Sequence, residues 1–152
     1  MNQDKYIFKP DIIIEVTNGC NMICKGCYAP NILVTDDKKN SKTVTNLTLN
    51  VLKHNWSQNE KVNCISIRGG EPSLNPELPQ ILLFLADKAN NIFLETNGTW
   101  IQSNKDLLQA IEISKVKVKL SLDKMHQSSN FNFEIWLKIL KDSNIDTAIA
   151  IN

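Results

Sequence analysis

Cys20-Asn21-Met22-Ile23-Cys24-Lys25-Gly26-Cys27-Tyr28 places three cysteines within eight residues, spaced CxxxCxxC. The preceding run, Ile12-Ile13-Ile14-Glu15-Val16, is almost wholly apolar and predicts a buried strand over 11–17. The cysteines therefore fall in the loop at that strand's C-terminal end. Three thiolates on one short loop can hold three corners of a cubane [4Fe–4S] cluster and leave the fourth iron without a protein ligand. An open iron can take a substrate or cofactor, so the spacing points to a reactive centre. The same thiols could instead hold zinc, with Cys64, His54 or His126 as fourth ligand. Zinc loops more often use CxxC pairs in twos, and neither histidine has a second ligand near it in sequence.

Outward from the loop, strand and helix patterns alternate. Residues 28–44 read as irregular, with a solvated patch at 36–42. A helix is predicted over 45–55, with Leu47, Val51 and Leu52 inward. Val62–Arg68 is the second strand and ends in Gly69-Gly70-Glu71-Pro72. Asn75 reads as an N-cap, with Pro76 at the first helical position and Glu77 favourable to the dipole. Leu78, Ile81, Leu82, Leu85 and Ala89 then share one helical face. A third strand over 91–96 leads into Asn97-Gly98-Thr99, and a helix over 104–113 turns Leu107, Leu108 and Ile111 inward. A fourth strand over 116–121 ends in Ser121-Leu122-Asp123. A helix over 132–142 and a fifth strand over 146–151 complete the pattern. Alternating units of this kind give parallel strands joined by right-handed crossovers. The fold class is thus α/β, a partial (β/α) TIM-like barrel of about five parallel strands with helices outside. Its site lies at the strand C-termini, where every motif falls.

Taken together, the cysteine loop, Gly69-Gly70-Glu71-Pro72, Glu95-Thr96-Asn97-Gly98-Thr99 and Ser121-Leu122-Asp123 resemble the radical S-adenosylmethionine (SAM) superfamily over residues 11 to 123. The resemblance implies a [4Fe–4S] cluster held by Cys20, Cys24 and Cys27, with SAM bound beside it. It implies that Gly69, Gly70 and Glu71 receive the SAM amino group, and that a Val at Gly70 would fill the ligand's space while sparing the cluster. Ser121 and Asp123 would contact the ribose or methionyl end, with Asn97 beside them. Many members carry an aromatic residue before the third cysteine. Here that position is Gly26, which makes Tyr28 the candidate adenine contact. The implied reaction is reductive cleavage of SAM to a 5′-deoxyadenosyl radical that abstracts hydrogen from a substrate. An external one-electron donor such as flavodoxin or ferredoxin would drive it. Some segments resemble 7-carboxy-7-deazaguanine synthases and others peptide-modifying members, so the substrate class stays open between a cofactor or nucleoside precursor and a peptide. The non-catalytic alternative is an iron–sulfur or zinc module, or a degenerate radical SAM domain.

Each motif has a plainer reading. Two glycines and a proline make an ordinary strand-to-helix turn, and Ser121, Asp123 and Asn97 could simply cap loops. Cys64, inside a strand, reads as a small hydrophobe. His126 and Arg68 receive no role, nor does any residue as a catalytic acid or base. All five glycines, at 19, 26, 69, 70 and 98, lie in or beside the motifs.

Composition narrows the setting. A chain of 152 residues with net charge +1 predicts one domain, 1–152, and marks no nucleic-acid or anionic-membrane surface. A polar N-terminus and no apolar run near ~20 residues predict a cytoplasmic, non-membrane setting, in which four cysteines favour metal use over disulfides. A closed barrel needs roughly 200–250 residues. The core is accordingly expected to be short at its C-terminus, either as a truncated piece of a longer protein or with an apolar edge strand that invites a homodimer or a partner to complete the sheet.

Overall fold

The computed structural model describes residues 9–22, 24, 27, 33–34, 44–122 and 133–151. Five strands form one parallel sheet: β1 (Ile12–Glu15), β4 (Val62–Arg68), β5 (Ala89–Thr96), β6 (Lys117–Leu122) and β7 (Thr147–Ile151), in that spatial order. Between neighbouring strands run α1 (Leu49–Asn55), α2 (Leu78–Leu85), α3 (Lys105–Ser114) and α4 (Phe133–Asp142). Two short strands, β2 (Gly19–Cys20) and β3 (Leu33–Val34), form a separate parallel pair. This is the expected partial TIM-like arrangement, with β1 and β7 as the sheet edges. Among the described residues no helix is long and apolar enough to cross a membrane.

The buried core sits on one face of the sheet. Ile65 and Ile67, Ile92 and Leu94, and Val118 and Leu120 alternate toward the helices, which answer with Leu78, Ile81, Leu82, Leu85, Leu107, Ile111, Trp136 and Leu140. The four α2 side chains recur at helical spacing and are fully buried. Each such burial contributes about 1.5–3 kcal/mol. α3 starts on Asn104, whose Oδ1 accepts from the Leu107 N–H at 3.0 Å, and stops at Lys115 in the left-handed conformation (φ 54°).

Several expectations from the sequence change. The apolar run of β1 suggests cover on both faces, yet Ile13 is 46 % exposed and Glu15 lies in solvent. The reason is that all helices pack on the opposite side. Val51, expected inward, is exposed, since α1 begins only at Leu49 and Leu52 alone of its residues is buried. Within 28–44, expected to be irregular throughout, Leu33–Val34 is a strand. Ala89 opens β5 and is not part of α2.

Asn75 is the most informative change. It is not the residue that caps α2, because Glu77 occupies that position. Asn75 is buried, and its Nδ2 donates to the carbonyls of Val16 (2.9 Å) and Leu47 (2.8 Å), while its Oδ1 accepts from the Glu77 N–H at 2.9 Å. Glu77 in turn reaches α1, where Oε2 accepts from the Leu49 N–H at 2.8 Å. Asn75 thus ties the end of β1 to the approach to α1. Asn75→Ala strands two carbonyls and one N–H and is expected to cost about 2–4 kcal/mol, read as a lower midpoint in urea unfolding.

Candidate functional site

Beyond β1 the chain continues along the end of β4 through three short backbone hydrogen bonds. Val16 N donates to Arg68 O, Gly70 N to Thr17 O and Glu71 N to Gly19 O, each at 2.8 Å. The segment carrying Cys20 is therefore laid directly on Gly69-Gly70-Glu71. The glycines are needed for that contact. A Cβ on Gly69 would stand 2.4 Å from Thr17 O, and one on Gly70 would stand 2.0 Å from Gly19 O. The expectation that a Val at Gly70 spares the cysteine loop is thus corrected: the crowding partner is the backbone next to Cys20.

Glu71 lies underneath, 1 % exposed. Its Oε1 accepts from Thr96 Oγ1 at 2.6 Å and from the Ser73 N–H at 3.1 Å, and its Oε2 accepts from the Asn97 N–H at 2.8 Å. Burial pushes its carboxyl up, and these donors pull it back. The carboxylate is engaged by the protein itself, so Glu71 serves as a brace between the ends of β4 and β5. Thr96 Oγ1 also accepts from Gly98 N at 3.1 Å and Trp100 Nε1 at 2.9 Å, which fixes the turn after β5. Gly98 holds that turn at φ 81°, where a Cβ would press on Leu120 and Trp136.

A second tie joins this turn to the cysteine loop from above. Asn97 Nδ2 donates to Asn21 Oδ1, and Asn21 Nδ2 donates to Thr99 Oγ1, both at 2.9 Å. Thr99 closes the ring on Asn97 Oδ1 through its hydroxyl (2.9 Å) and its N–H (3.1 Å). Asn21 and Thr99 carry no individual signal in the sequence that would assign them this part. Asn97, expected beside SAM, uses its side chain within this ring.

Cys20 is buried, Cys24 half-buried and Cys27 exposed, and the Cys27 N–H closes a turn on Cys24 O at 3.2 Å. Burial chiefly pushes the Cys20 thiol up, and the charges of Glu71, Cys24 and Cys27 add to it, against a lowering bond from the Met22 backbone. A cationic group among the three sulfurs would reverse that penalty, since thiolate is the metal-binding form. Among the described residues no three Cys, His, Asp or Glu side chains converge tightly enough for a single metal ion. Soft donors on one loop suit an iron–sulfur group. Cys64 lies buried in β4, its N–H bonded to Asp11 Oδ2 at 2.9 Å, apart from the three. Ser121 is half-buried at the end of β6. Tyr28, Asp123 and His126 lie outside the described residues.

A three-thiol loop, a double glycine and polar turns thus gather at the strand C-termini of one parallel sheet. The sequence profile of the radical SAM superfamily matches residues 14–151, and the chain belongs to that superfamily. It is 30 % identical over 115 residues to a protein of Methanocaldococcus jannaschii named for glycyl-radical enzyme activation, covering 76 % of this chain and 41 % of that one. It is 32 % identical over 108 residues to the 7-carboxy-7-deazaguanine synthase of Aquifex aeolicus, covering 69 % and 44 %. A GTP 3′,8-cyclase of Acidothermus cellulolyticus shares 28 % over 119 residues, covering 72 % and 31 %. The chain therefore spans less than half the length of these relatives, whose names describe different reactions.

Two outcomes follow from the backbone contact and the ring. Gly70→Ala is expected to destabilise the fold by about 3 kcal/mol and to lower iron retained per chain, because its Cβ displaces the Gly19–Cys20 segment. Asn97→Ala opens the ring and leaves Asn21 Oδ1 and the Thr99 N–H short of a partner, so iron loss to a chelator should quicken several-fold and the unfolding midpoint should fall, though by less than in Asn75→Ala.

Proposed function

We propose that this chain is the core of a radical SAM enzyme, with Cys20, Cys24 and Cys27 as ligands of a [4Fe–4S] cluster and SAM bound at the ends of β4, β5 and β6. The observation that carries the reading is the convergence of the cysteine loop, Gly69-Gly70-Glu71, Asn97 and Ser121 at one end of a parallel sheet. Open α/β sheets bind ligands at that end.

Cluster and SAM together supply one-electron cleavage of the sulfonium and hydrogen abstraction, chemistry no side chain offers. The protein's share is positional. Gly70 and Glu71 fix the level of the cysteine loop through backbone bonds, and Asn21, Asn97 and Thr99 fix its tilt. Ser121, and by resemblance Asp123 and Tyr28, would hold the sugar and base of SAM. Glu71, Thr96 and Trp100 keep the floor closed to water. An external one-electron donor, of flavodoxin or ferredoxin type, would reach the loop from its exposed Cys27 side. Relatives acting on GTP or forming 7-carboxy-7-deazaguanine support a small polar substrate.

Anaerobic reconstitution of the full chain is expected to give about four irons and four sulfides, the content of one such cluster. These should be lost on changing Cys20, Cys24 or Cys27 to Ala and kept in Cys64→Ala. Reduced protein should release 5′-deoxyadenosine from SAM. Stoichiometric zinc without sulfide, in protein purified without oxygen, would overturn the reading. A cluster that never cleaves SAM would leave only a non-catalytic module.

A further inference from the structure

On the outer surface of the helical layer, α2 and α3 leave a groove of about 480 Å³ between them. Its floor is apolar, built by the buried Leu78, Leu107 and Ala110. One wall carries Gln80 and Leu83 along α2, and the other carries Asp106, Gln109 and Ile113 along α3. These residues recur three or four apart, so each wall is a helical ridge. Leu83 is 44 % exposed and Ile113 62 %. Exposed apolar side chains scattered singly are ordinary, but these two stand on the two walls of one groove. The fold does not call for Ile113, because α3 already closes on the core with Leu107, Ala110, Ile111 and Ser114.

Charge supplies a second observation. Among the described residues that line the groove, Asp106 is the one charged side chain, and no Lys, Arg or His accompanies it. Asp106 forms no ion pair among the described residues. It lies in the first turn of α3 and Ile113 in the last, about 10.5 Å away along the axis. Both helices follow strands of one parallel sheet and run the same way, so Leu83 near the end of α2 is level with Ile113. The groove thus has an anionic end, an apolar end, and two amides between them.

We propose that the α2–α3 groove seats an amphipathic helix of a partner protein, one that carries Lys or Arg about two turns from a pair of apolar side chains. The apolar pair covers Leu83 and Ile113, and the cation meets Asp106. Ala110 allows close approach between them, and Gln80 and Gln109 bond polar side chains alongside. A helix suits this seat because it satisfies its own backbone. The N–H and C=O groups of α2 and α3 are committed within those helices, so a strand laid on the apolar floor would find no main-chain partner. A second copy docking groove to groove brings no cation to Asp106. Anionic membranes and nucleic acids call for Lys or Arg, which the groove lacks. The groove faces away from the sheet, so the proposal stands apart from the cofactor reading.

The test is fluorescence anisotropy of the full chain with two labelled helical peptides of about 16 residues, long enough to hold a helix. Both are Ala-rich, with one leucine and a second four residues later. Seven residues after the first leucine, one peptide carries Lys and its twin carries Glu. The Lys peptide should bind about fivefold tighter than the Glu peptide, the size expected of one exposed charge contact. Asp106→Asn should bring the two within about twofold of each other. Joint Leu83→Gln and Ile113→Gln should weaken both by about tenfold, with the urea midpoint kept because both side chains are exposed. Val51→Lys, exposed on α1, should change neither. Binding of neither peptide, equal binding of both, or a preference that survives Asp106→Asn would overturn the proposal. So would self-association of the chain that the joint Gln variant abolishes, which would make the groove a contact between copies.

Discussion

The site depends on one close approach of backbone to backbone. The chain leaving β1 runs over the end of β4 so tightly that no side chain fits between them at Gly69 or Gly70. Three hydrogen bonds of 2.8 Å hold it there. The cysteine loop begins on the next residue, so its height above the sheet is set by main-chain geometry, the least adjustable part of a protein. Glu71 extends the same constraint sideways, since one buried carboxylate satisfies donors from its own turn and from the end of β5. A buried charge is tolerable only with such company.

The sheet separates two tasks by the alternation of its side chains. Odd and even residues of β4, β5 and β6 point to opposite sides. One set seals against α2, α3 and α4 and supplies the hydrophobic stabilisation. The other carries Ser66, Arg68, Glu95, Lys119 and Ser121, with Cys64 and Phe93 among them. Substitution on the open side therefore need not enter the core, whereas substitution on the packed side does.

Much of the fold is legible in the sequence because its signals are local. The α2 leucines recur at helical spacing, and strand runs end at glycine or asparagine turns. The cysteine spacing likewise announces a metal loop by itself. Contacts between residues far apart in sequence are not legible. Nothing in the order of residues pairs Asn21 with Thr99, or Asn75 with Val16 and Leu47. Glu71 reads as facing a ligand because its motif sits at a strand end, yet its side chain turns inward to Thr96 and Asn97. The open face of the sheet does leave a local trace. Arg68, Glu95 and Lys119 place charge among the apolar residues of their strands, and at matched register they mark the face that none of the described helices covers.

The ring between the cysteine loop and the β5 turn also governs how the protein ages. Asn97 precedes Gly98, and a flexible Asn-Gly pair deamidates when the glycine nitrogen attacks the asparagine side-chain carbonyl. Here the Gly98 N–H is held by Thr96 Oγ1, and both ends of the Asn97 amide are held by Asn21 and Thr99. The two reacting groups are kept on separate partners, so the cyclic imide cannot form without first breaking the ring. Loss of that amide would place a second carboxylate beside Glu71 and remove the donor to Asn21. The bonds that seat the cysteine loop thus also shield one of the chain's two Asn-Gly links, the other being Asn18-Gly19.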